Sequence, residues 1–182
     1  MAKRFPQKVR TAYHEAGHAV MCTHFQMSLK KYRSEFAVKS ASIVPGREFR
    51  GRVRMARMKG DVSLDVEQRH KFEYHIMVSM AGQAAECILL DRKNEAAYFK
   101  GGSRFDFEHI IEVMIRLVGQ PNETQPYFRL LWARTLNTLR NVNWEAVRLV
   151  AGALLEKNEL SGDEVRALYK TAGPRFIRHL PS

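Results

Sequence analysis

Two histidines four residues apart, with a glutamate directly after the first, constrain this chain more than any other feature. They lie in the stretch Thr11-Ala-Tyr-His14-Glu15-Ala-Gly-His18. Residues four positions apart on an α-helix lie one turn apart on the same face, so His14 and His18 can offer imidazole nitrogens to one cation. Tetrahedral zinc is the cation most often bound in this way. The H-E-x-x-H spacing therefore predicts a helix that carries two metal ligands.

Glu15 is the candidate catalytic residue of this motif. It is rotated by about 100° from His14 around the helix axis, so its carboxylate can reach a water molecule on the metal without ligating the metal. Zinc lowers the pKa of such a water toward about 7, and a nearby carboxylate can take its proton as the water attacks a carbonyl. The alternative is an ordinary amphipathic helix with two surface histidines, because a pattern with three fixed positions also occurs by chance.

The overall composition favours a single soluble domain. The chain has 182 residues, of which 45% are hydrophobic, enough for a substantial core, and we expect residues 1–182 to form one domain. The charged N-terminus has no apolar segment of signal-peptide length, and the most apolar stretch, residues 76–90, is too short and too polar to span a bilayer. Cys22 and Cys87 lack C-x-x-C spacing, and we expect free thiols in a cytoplasmic protein.

The pattern of apolar residues predicts a mainly α fold with one small β-hairpin or sheet. Short strands are expected at residues 41–46 and 50–55, joined as a hairpin. Ser161 and Glu164 have the spacing of a capping box at the start of the last helix. Helices are expected at about residues 9–29, 64–90, 104–118, 126–139, 143–157 and 162–171.

The excess of basic residues favours an anionic partner. Lys and Arg number 30 against 19 Asp and Glu, which gives a formal net charge of +11. Arg50, Arg52 and Arg54 alternate along the second predicted strand and would share one face. They either protect a solvated edge strand or form a rim that attracts an acidic peptide or nucleic acid. Only Phe49 adds an aromatic ring to this segment, which counts against binding of single-stranded nucleic acid.

The third ligand of the predicted metal site has to be sought outside the motif, because a catalytic zinc site generally has three protein ligands. His24 has the metzincin spacing, but Met21 occupies the position where that pattern needs a glycine to turn the chain. Asp106, at a predicted junction between a loop and a helix, is the better candidate. It lies three residues after Ser103, so it fits a helix cap equally well, and both interpretations stay open.

Three blocks make the chain similar to the protease domain of FtsH-type zinc metalloproteases. The first, residues 13–20, is close to the family's His-Glu-Ala-Gly-His-Ala-Val. The second, residues 81–86, is similar to its Gly-Gly-Arg-Ala-Ala-Glu, and the third, residues 102–107, to its Gly-Ala-Ser-Asn-Asp-Leu. Residues 144–169 also resemble the family's closing helix pair. The resemblance implies a zincin-like helical metalloprotease domain.

The resemblance also implies roles for individual residues. Zn2+ would be held by His14, His18 and Asp106, with Glu15 activating the attacking water, and Glu86 would orient a ligand histidine. The sequence contains no G-x-x-x-x-G-K-[ST] phosphate loop, so we expect a stand-alone protease domain without the family's ATPase and transmembrane segments. The chain departs from the family's pattern at Gln83, Cys87, Arg104 and Phe105.

Together these inferences predict a cytoplasmic zinc endopeptidase that cleaves flexible or unfolded polypeptides without ATP hydrolysis in this chain. An extended peptide would pair with a strand edge, either at Ile43 and Val44 or at the strand that carries Arg52 and Arg54. A separate unfoldase or adaptor stays open as a partner. Two alternatives also stay open: a basic nucleic-acid- or protein-binding module on a protease-like fold, and a pseudo-peptidase with structural zinc.

Overall fold

The computed structural model describes residues 4–46, 51–55, 66–92, 110–111, 113–115, 117–118 and 120–173. The predicted mainly α fold with one small sheet is confirmed. The described residues between 110 and 118 are also helical. The remaining elements, in chain order, are α1 (Gln7–Ser28), a 3-10 helix (Lys30–Tyr32), β1 (Val38–Ser42), β2 (Arg52–Met55), α2 (Val66–Leu89), α3 (Pro121–Asn137), a π-helical segment (Thr138–Asn143), α4 (Trp144–Lys157), β3 (Glu159–Ser161) and α5 (Gly162–Thr171).

Helix α1, which carries the histidine motif, is packed closely against α2 and α4. Small side chains on both helices allow the approach of α2. A Cβ atom at Gly17 would lie 2.8 Å from the Cβ of Ala85 and would also collide with the carbonyl oxygen of Ala81. Ala12, Ala16 and Ala19 are fully buried on the same helix. The second block of small residues therefore packs directly on the motif helix, because neither helix has a bulky side chain at the crossing.

The sheet has the strand order β2-β1-β3, with both pairs antiparallel. The predicted hairpin is confirmed as β1 and β2, in which Ser42 lies opposite Arg52. Strand β3 was not predicted, because its three residues lie in the tight connection between α4 and α5 and are too few for an alternating pattern. It is defined by its pairing with β1, in which Ala41 lies opposite Leu160.

The predicted first strand was placed too late in the chain. Strand β1 begins at Val38 and ends at Ser42, so Ile43 and Val44 lie beyond it. The N–H of Ile43 donates a hydrogen bond to the carbonyl oxygen of Asn158 at 2.9 Å. The N–H of Val44 donates to the Ser42 hydroxyl at 3.2 Å, which starts the chain turning away from the ladder.

The helix boundaries differ from the prediction mainly at α3. This helix begins at Pro121, five residues before the predicted start, and Pro126 lies inside it. Proline at the first helical position is well tolerated, whereas one further inside removes a backbone hydrogen bond, which is why we expected a later start. The expected capping box of α5 is confirmed, since the Glu164 N–H donates to Ser161 Oγ at 3.2 Å and the Ser161 N–H donates to Glu164 Oε2 at 2.9 Å.

Within the described ranges, no helix is long and apolar enough to cross a membrane. Cys22 and Cys87 are both buried and both free, as expected from their spacing.

Candidate metal centre and catalytic base

The two motif histidines face each other on α1. Their Nε2 atoms are 3.1 Å apart. His18 Nδ1 lies 2.7 Å from the carbonyl oxygen of Val78, and His14 Nδ1 lies 2.9 Å from Glu86 Oε1. A carbonyl oxygen can only accept a hydrogen bond, and a carboxylate oxygen accepts in the same way, so each Nδ1 carries the proton and donates it. Neutral His14 and His18 therefore both keep an unprotonated Nε2.

The two Nε2 lone pairs converge on a position suited to a cation. Two acceptor nitrogens at 3.1 Å repel each other, and a proton or a metal ion between them removes the repulsion. Two nitrogens bound to one tetrahedral zinc, with Zn–N distances of about 2.0–2.1 Å, lie about 3.3 Å apart. The donor set and its spacing thus fit zinc.

Gly82 on α2 closely approaches both nitrogens. A Cβ atom at this position would lie 2.6 Å from His14 Nε2 and closer still to His18 Nε2. Any residue other than glycine would therefore collide with both imidazole rings. In the sequence, Gly82 is only one of the small residues of the second block. Its steric role beside the two histidines follows from the packing of α1 against α2 and cannot be predicted from the sequence pattern.

Glu86 connects His14 to a basic residue one helical turn earlier. Its Oε1 accepts from His14, while its Oε2 accepts from Arg10 Nε at 2.9 Å and from Arg10 Nη2 at 2.7 Å. The Glu86 carboxylate is buried, and such a group is costly to bury unless it is paired and hydrogen-bonded. The structure thus brings Glu86 to His14, as the resemblance implied. Arg10 was missed, although it stands four residues before His14 on the same helix face.

Glu15 is buried beneath the start of β2. Only 6% of the residue is exposed. A Cβ atom at Gly51 would lie 2.6 Å from Glu15 Oε1 and 2.7 Å from Glu15 Cγ, so the backbone of the second strand passes directly over this carboxylate. The strand that carries Arg52 and Arg54 therefore begins beside the candidate catalytic base.

The predicted third ligand, Asp106, lies outside the described residues. Among the residues that the structure describes, no group of three or more His, Cys, Asp and Glu side chains is arranged to hold a metal ion. The described part of the site consists of the two imidazole nitrogens of His14 and His18 with the residues that orient them. Asp106 stays a prediction.

Two further residues of α1, His24 and Cys22, contact other parts of the fold. The helix continues to Ser28, as expected, and carries His24 to Tyr169, whose hydroxyl lies 2.9 Å from His24 Nδ1. Burial lowers the pKa of His24 to about 4. Cys22 lies one turn beyond His18 with its Sγ 3.8 Å from Met55 Sδ. Burial raises the pKa of the Cys22 thiol to about 12.

The predicted substrate-binding residues have different surroundings. Ile43 is buried, and its N–H donates a hydrogen bond to the carbonyl oxygen of Asn158. Val44 is 55% exposed but lies outside β1. Arg52 and Arg54 are both exposed on β2, which is the outermost strand on one side of the sheet among the described strands. The peptide-binding role of these residues stays a prediction.

The helical fold, with an H-E-x-x-H helix at its centre, is the arrangement of a metallopeptidase. Comparison with protein families agrees: the model of Peptidase family M41 matches residues 3–120, more than half of the chain. The chain therefore belongs to peptidase family M41, the family of FtsH-type peptidases. This membership makes it a peptidase of a metalloprotease family whose substrates are polypeptides. Comparison with individual curated proteins finds no match.

Proposed function

We propose that this chain is a zinc-dependent endopeptidase that hydrolyses peptide bonds of flexible or unfolded polypeptides by means of a metal-activated water. The observation that carries the proposal is the convergence of the His14 and His18 Nε2 lone pairs beside Gly82. We propose His14, His18 and Asp106 as the residues that hold zinc. Family M41 is known as a zinc metalloprotease family, which supports the choice of metal.

Each residue of the site has a chemical role in this proposal. When bound, a zinc ion supplies Lewis acidity and lowers the pKa of a water molecule toward about 7. Glu15 takes the proton of the attacking water on its carboxylate and passes it to the leaving amine. The backbone at Gly51 confines that carboxylate, so Glu15 has little freedom to leave its position. Val78 and Glu86 accept from the Nδ1–H groups and so keep the Nε2 atoms of both histidines available.

The outer edge of β2 is the proposed peptide-binding edge. An extended peptide can add to a sheet edge through backbone hydrogen bonds. Because β2 begins at the Glu15 carboxylate, a peptide paired with it would pass beside the catalytic base. Arg52 and Arg54 would then flank alternate residues of the bound peptide.

Strand addition requires an extended substrate segment, which favours flexible or unfolded polypeptides over folded ones. We propose that cleavage by this chain needs no ATP, because the sequence contains no phosphate loop. A separate unfoldase or adaptor would then be needed for folded substrates.

The first experiment measures zinc content and cleavage of an unfolded casein-like substrate together. Protein purified without chelator should contain about one zinc per chain by elemental mass spectrometry. We expect Glu15→Gln to retain the metal and to lose about 10²- to 10⁴-fold in cleavage rate, because the amide cannot take the proton of water. Asp106→Ala should lose the metal as well.

The matched control is Glu123→Gln, which makes the same chemical change at an exposed position of α3. It should keep wild-type zinc content and activity. Casein cleavage that survives Glu15→Gln, or protein that stays free of zinc after reconstitution and dialysis, would overturn the proposal.

A further inference from the structure

We infer that Arg10 is a positioning residue of the metal site, which acts on His14 through Glu86. The inference rests on the proposed function, since it concerns the orientation of a proposed zinc ligand. Arg10 and His14 stand four residues apart on one face of α1, and both reach the same carboxylate on α2. These three side chains, Arg10, Glu86 and His14, are called the α1–α2 relay below.

The two oxygens of Glu86 have separate partners in this relay. Oε2 accepts both Arg10 hydrogen bonds, from Nε at 2.9 Å and from Nη2 at 2.7 Å, and Oε1 accepts from His14 Nδ1 at 2.9 Å. Two N–H groups of the guanidinium converge on Oε2, and these charge-assisted hydrogen bonds fix the position of that oxygen. With Oε2 held in this way, Oε1 faces His14.

The two histidines differ in what orients them. His18 donates to the backbone carbonyl of Val78, which the helical backbone of α2 holds in place. His14 donates to a side chain that has rotatable bonds of its own. The orientation of His14, and hence the direction of its Nε2 lone pair, therefore depends on a group that Arg10 holds. Glu86 is only 7% exposed, so water has little access to replace the Arg10 hydrogen bonds there.

A plain helix-to-helix ion pair is the competing explanation for the Arg10 contact. Such a pair would contribute to the stability of the metal-free fold and nothing else. The relay predicts in addition a change in zinc affinity and in the His14 tautomer. These two readouts distinguish positioning from simple tethering of α1 to α2.

The experiment compares Arg10→Gln and Arg10→Lys with the matched control Lys8→Gln. Lys8 is an exposed basic residue two positions away on α1, so its replacement removes the same charge outside the relay. Zinc affinity of the full chain is measured by chelator competition. Thermal stability is measured on the metal-free protein, and ¹⁵N NMR of the metal-free protein identifies the His14 tautomer.

We expect Arg10→Gln to weaken zinc binding roughly tenfold, the lower end of what is typical for residues that orient metal ligands. The Nδ1–H tautomer of His14 should lose its dominance in the same variant. Arg10→Lys should recover part of the affinity, because an ammonium can still donate to Oε2 but does not reproduce the two converging hydrogen bonds of the guanidinium. Lys8→Gln should match the wild type in zinc affinity and tautomer.

A double-mutant comparison tests whether Arg10 acts through Glu86. In a Glu86→Gln background, adding Arg10→Gln should cause no further loss of zinc affinity, because the path to His14 is already broken. If the losses of zinc affinity in the two single variants add fully in the double variant, Arg10 does not act through Glu86 and the inference is wrong. Should Arg10→Gln fail to fold, Arg10→Lys carries the same comparisons with a smaller expected change.

The two proposals fail in different ways. If the wild type binds no zinc, the proposed function fails, and the tautomer of His14 in the metal-free protein still tests the relay. If the wild type binds zinc and Arg10→Gln equals Lys8→Gln in both affinity and tautomer, the relay fails while the proposed function stands.

Discussion

At the scale of single residues, the site depends as much on what is missing as on the side chains that are present. His14 and His18 supply nitrogens, and the two rings fit against α2 only because Gly82 has no side chain. The same applies to Glu15, whose carboxylate fits under the backbone at Gly51. Neither Gly82 nor Gly51 has a positive φ angle. Each glycine is therefore explained by the close approach of another side chain and not by a turn.

Replacement of Gly82 tests this account directly. In Gly82→Ala the added methyl would lie 2.6 Å from His14 Nε2 and closer still to His18 Nε2, so it would push both imidazole rings out of position. We expect zinc affinity to fall at least 100-fold, because both proposed imidazole ligands must move. Zinc affinity is measured by chelator competition, and circular dichroism verifies that the variant is folded.

Gly152→Ala is the matched control, since a Cβ there would meet no atom within 4 Å. It should leave zinc affinity unchanged and stabilise α4 by about 0.5–1 kcal/mol, because alanine is the better helix former. Wild-type zinc affinity in Gly82→Ala would remove the steric argument for the site.

At the scale of elements, the sequence predicts the long helices with periodic apolar residues well, but it predicts poorly the strands that depend on pairing between distant segments. The bounds of α1, α2, α4 and α5 follow from apolar periodicity and capping, which are local properties. Strand β3 and the true extent of β1 depend on pairing between distant segments, which a local pattern does not encode. The early start of α3 was missed because Pro126 lies inside the helix, where a proline removes a backbone hydrogen bond and normally marks a helix boundary.

The site residues also differ in whether local sequence or tertiary packing reveals them. His14, Glu15 and His18 could be found from spacing alone, because the helix geometry that brings them together is local. Glu86 required the resemblance, since it comes from a different helix. Arg10 and Gly82 become significant only once α1 and α2 are packed together, and no spacing rule applies to them individually.

The contact between α1 and α5 through His24 should make stability depend on pH. The pKa of His24 is lowered by burial from its ordinary 6.5 to about 4. Between these values the unfolded chain takes up a proton that the folded protein does not, so stability is complete above pH 6.5 and falls as the pH is lowered toward 4. The expected loss from pH 7 to pH 4.5 is about 2–3 kcal/mol.

Urea denaturation of the metal-free protein at pH 7 and pH 4.5 measures the decrease in the free energy of unfolding. In His24→Gln this decrease should be smaller by about 2–3 kcal/mol. Using metal-free protein avoids the separate effect of acid on metal binding. His70→Gln, an exposed position on α2, is the control and should keep the wild-type difference. An equal loss in wild type and His24→Gln would assign the pH dependence to other groups.

At the scale of the whole molecule, the formal charge of +11 gives the protein a long-range attraction for anionic substrates. Such a field acts on encounter and does not by itself select a cleavage site. The exposed pair Arg52 and Arg54 is different, because β2 begins at Glu15 and any peptide paired with it would run past both side chains. General attraction and local selection can therefore be separated by mutation.

The last prediction separates them with two unstructured peptides that differ only in having glutamate or glutamine at alternate positions. At low salt the wild type should show a KM roughly three- to tenfold lower for the glutamate peptide, and added salt should reduce the difference, because exposed charge pairs are weak and screened. The double variant Arg52→Gln, Arg54→Gln should abolish the preference. Arg33→Gln with Arg129→Gln removes the same charge from exposed positions outside the sheet and should retain most of it. If both double variants lose the preference equally, net charge is responsible and the β2 edge does not select the substrate.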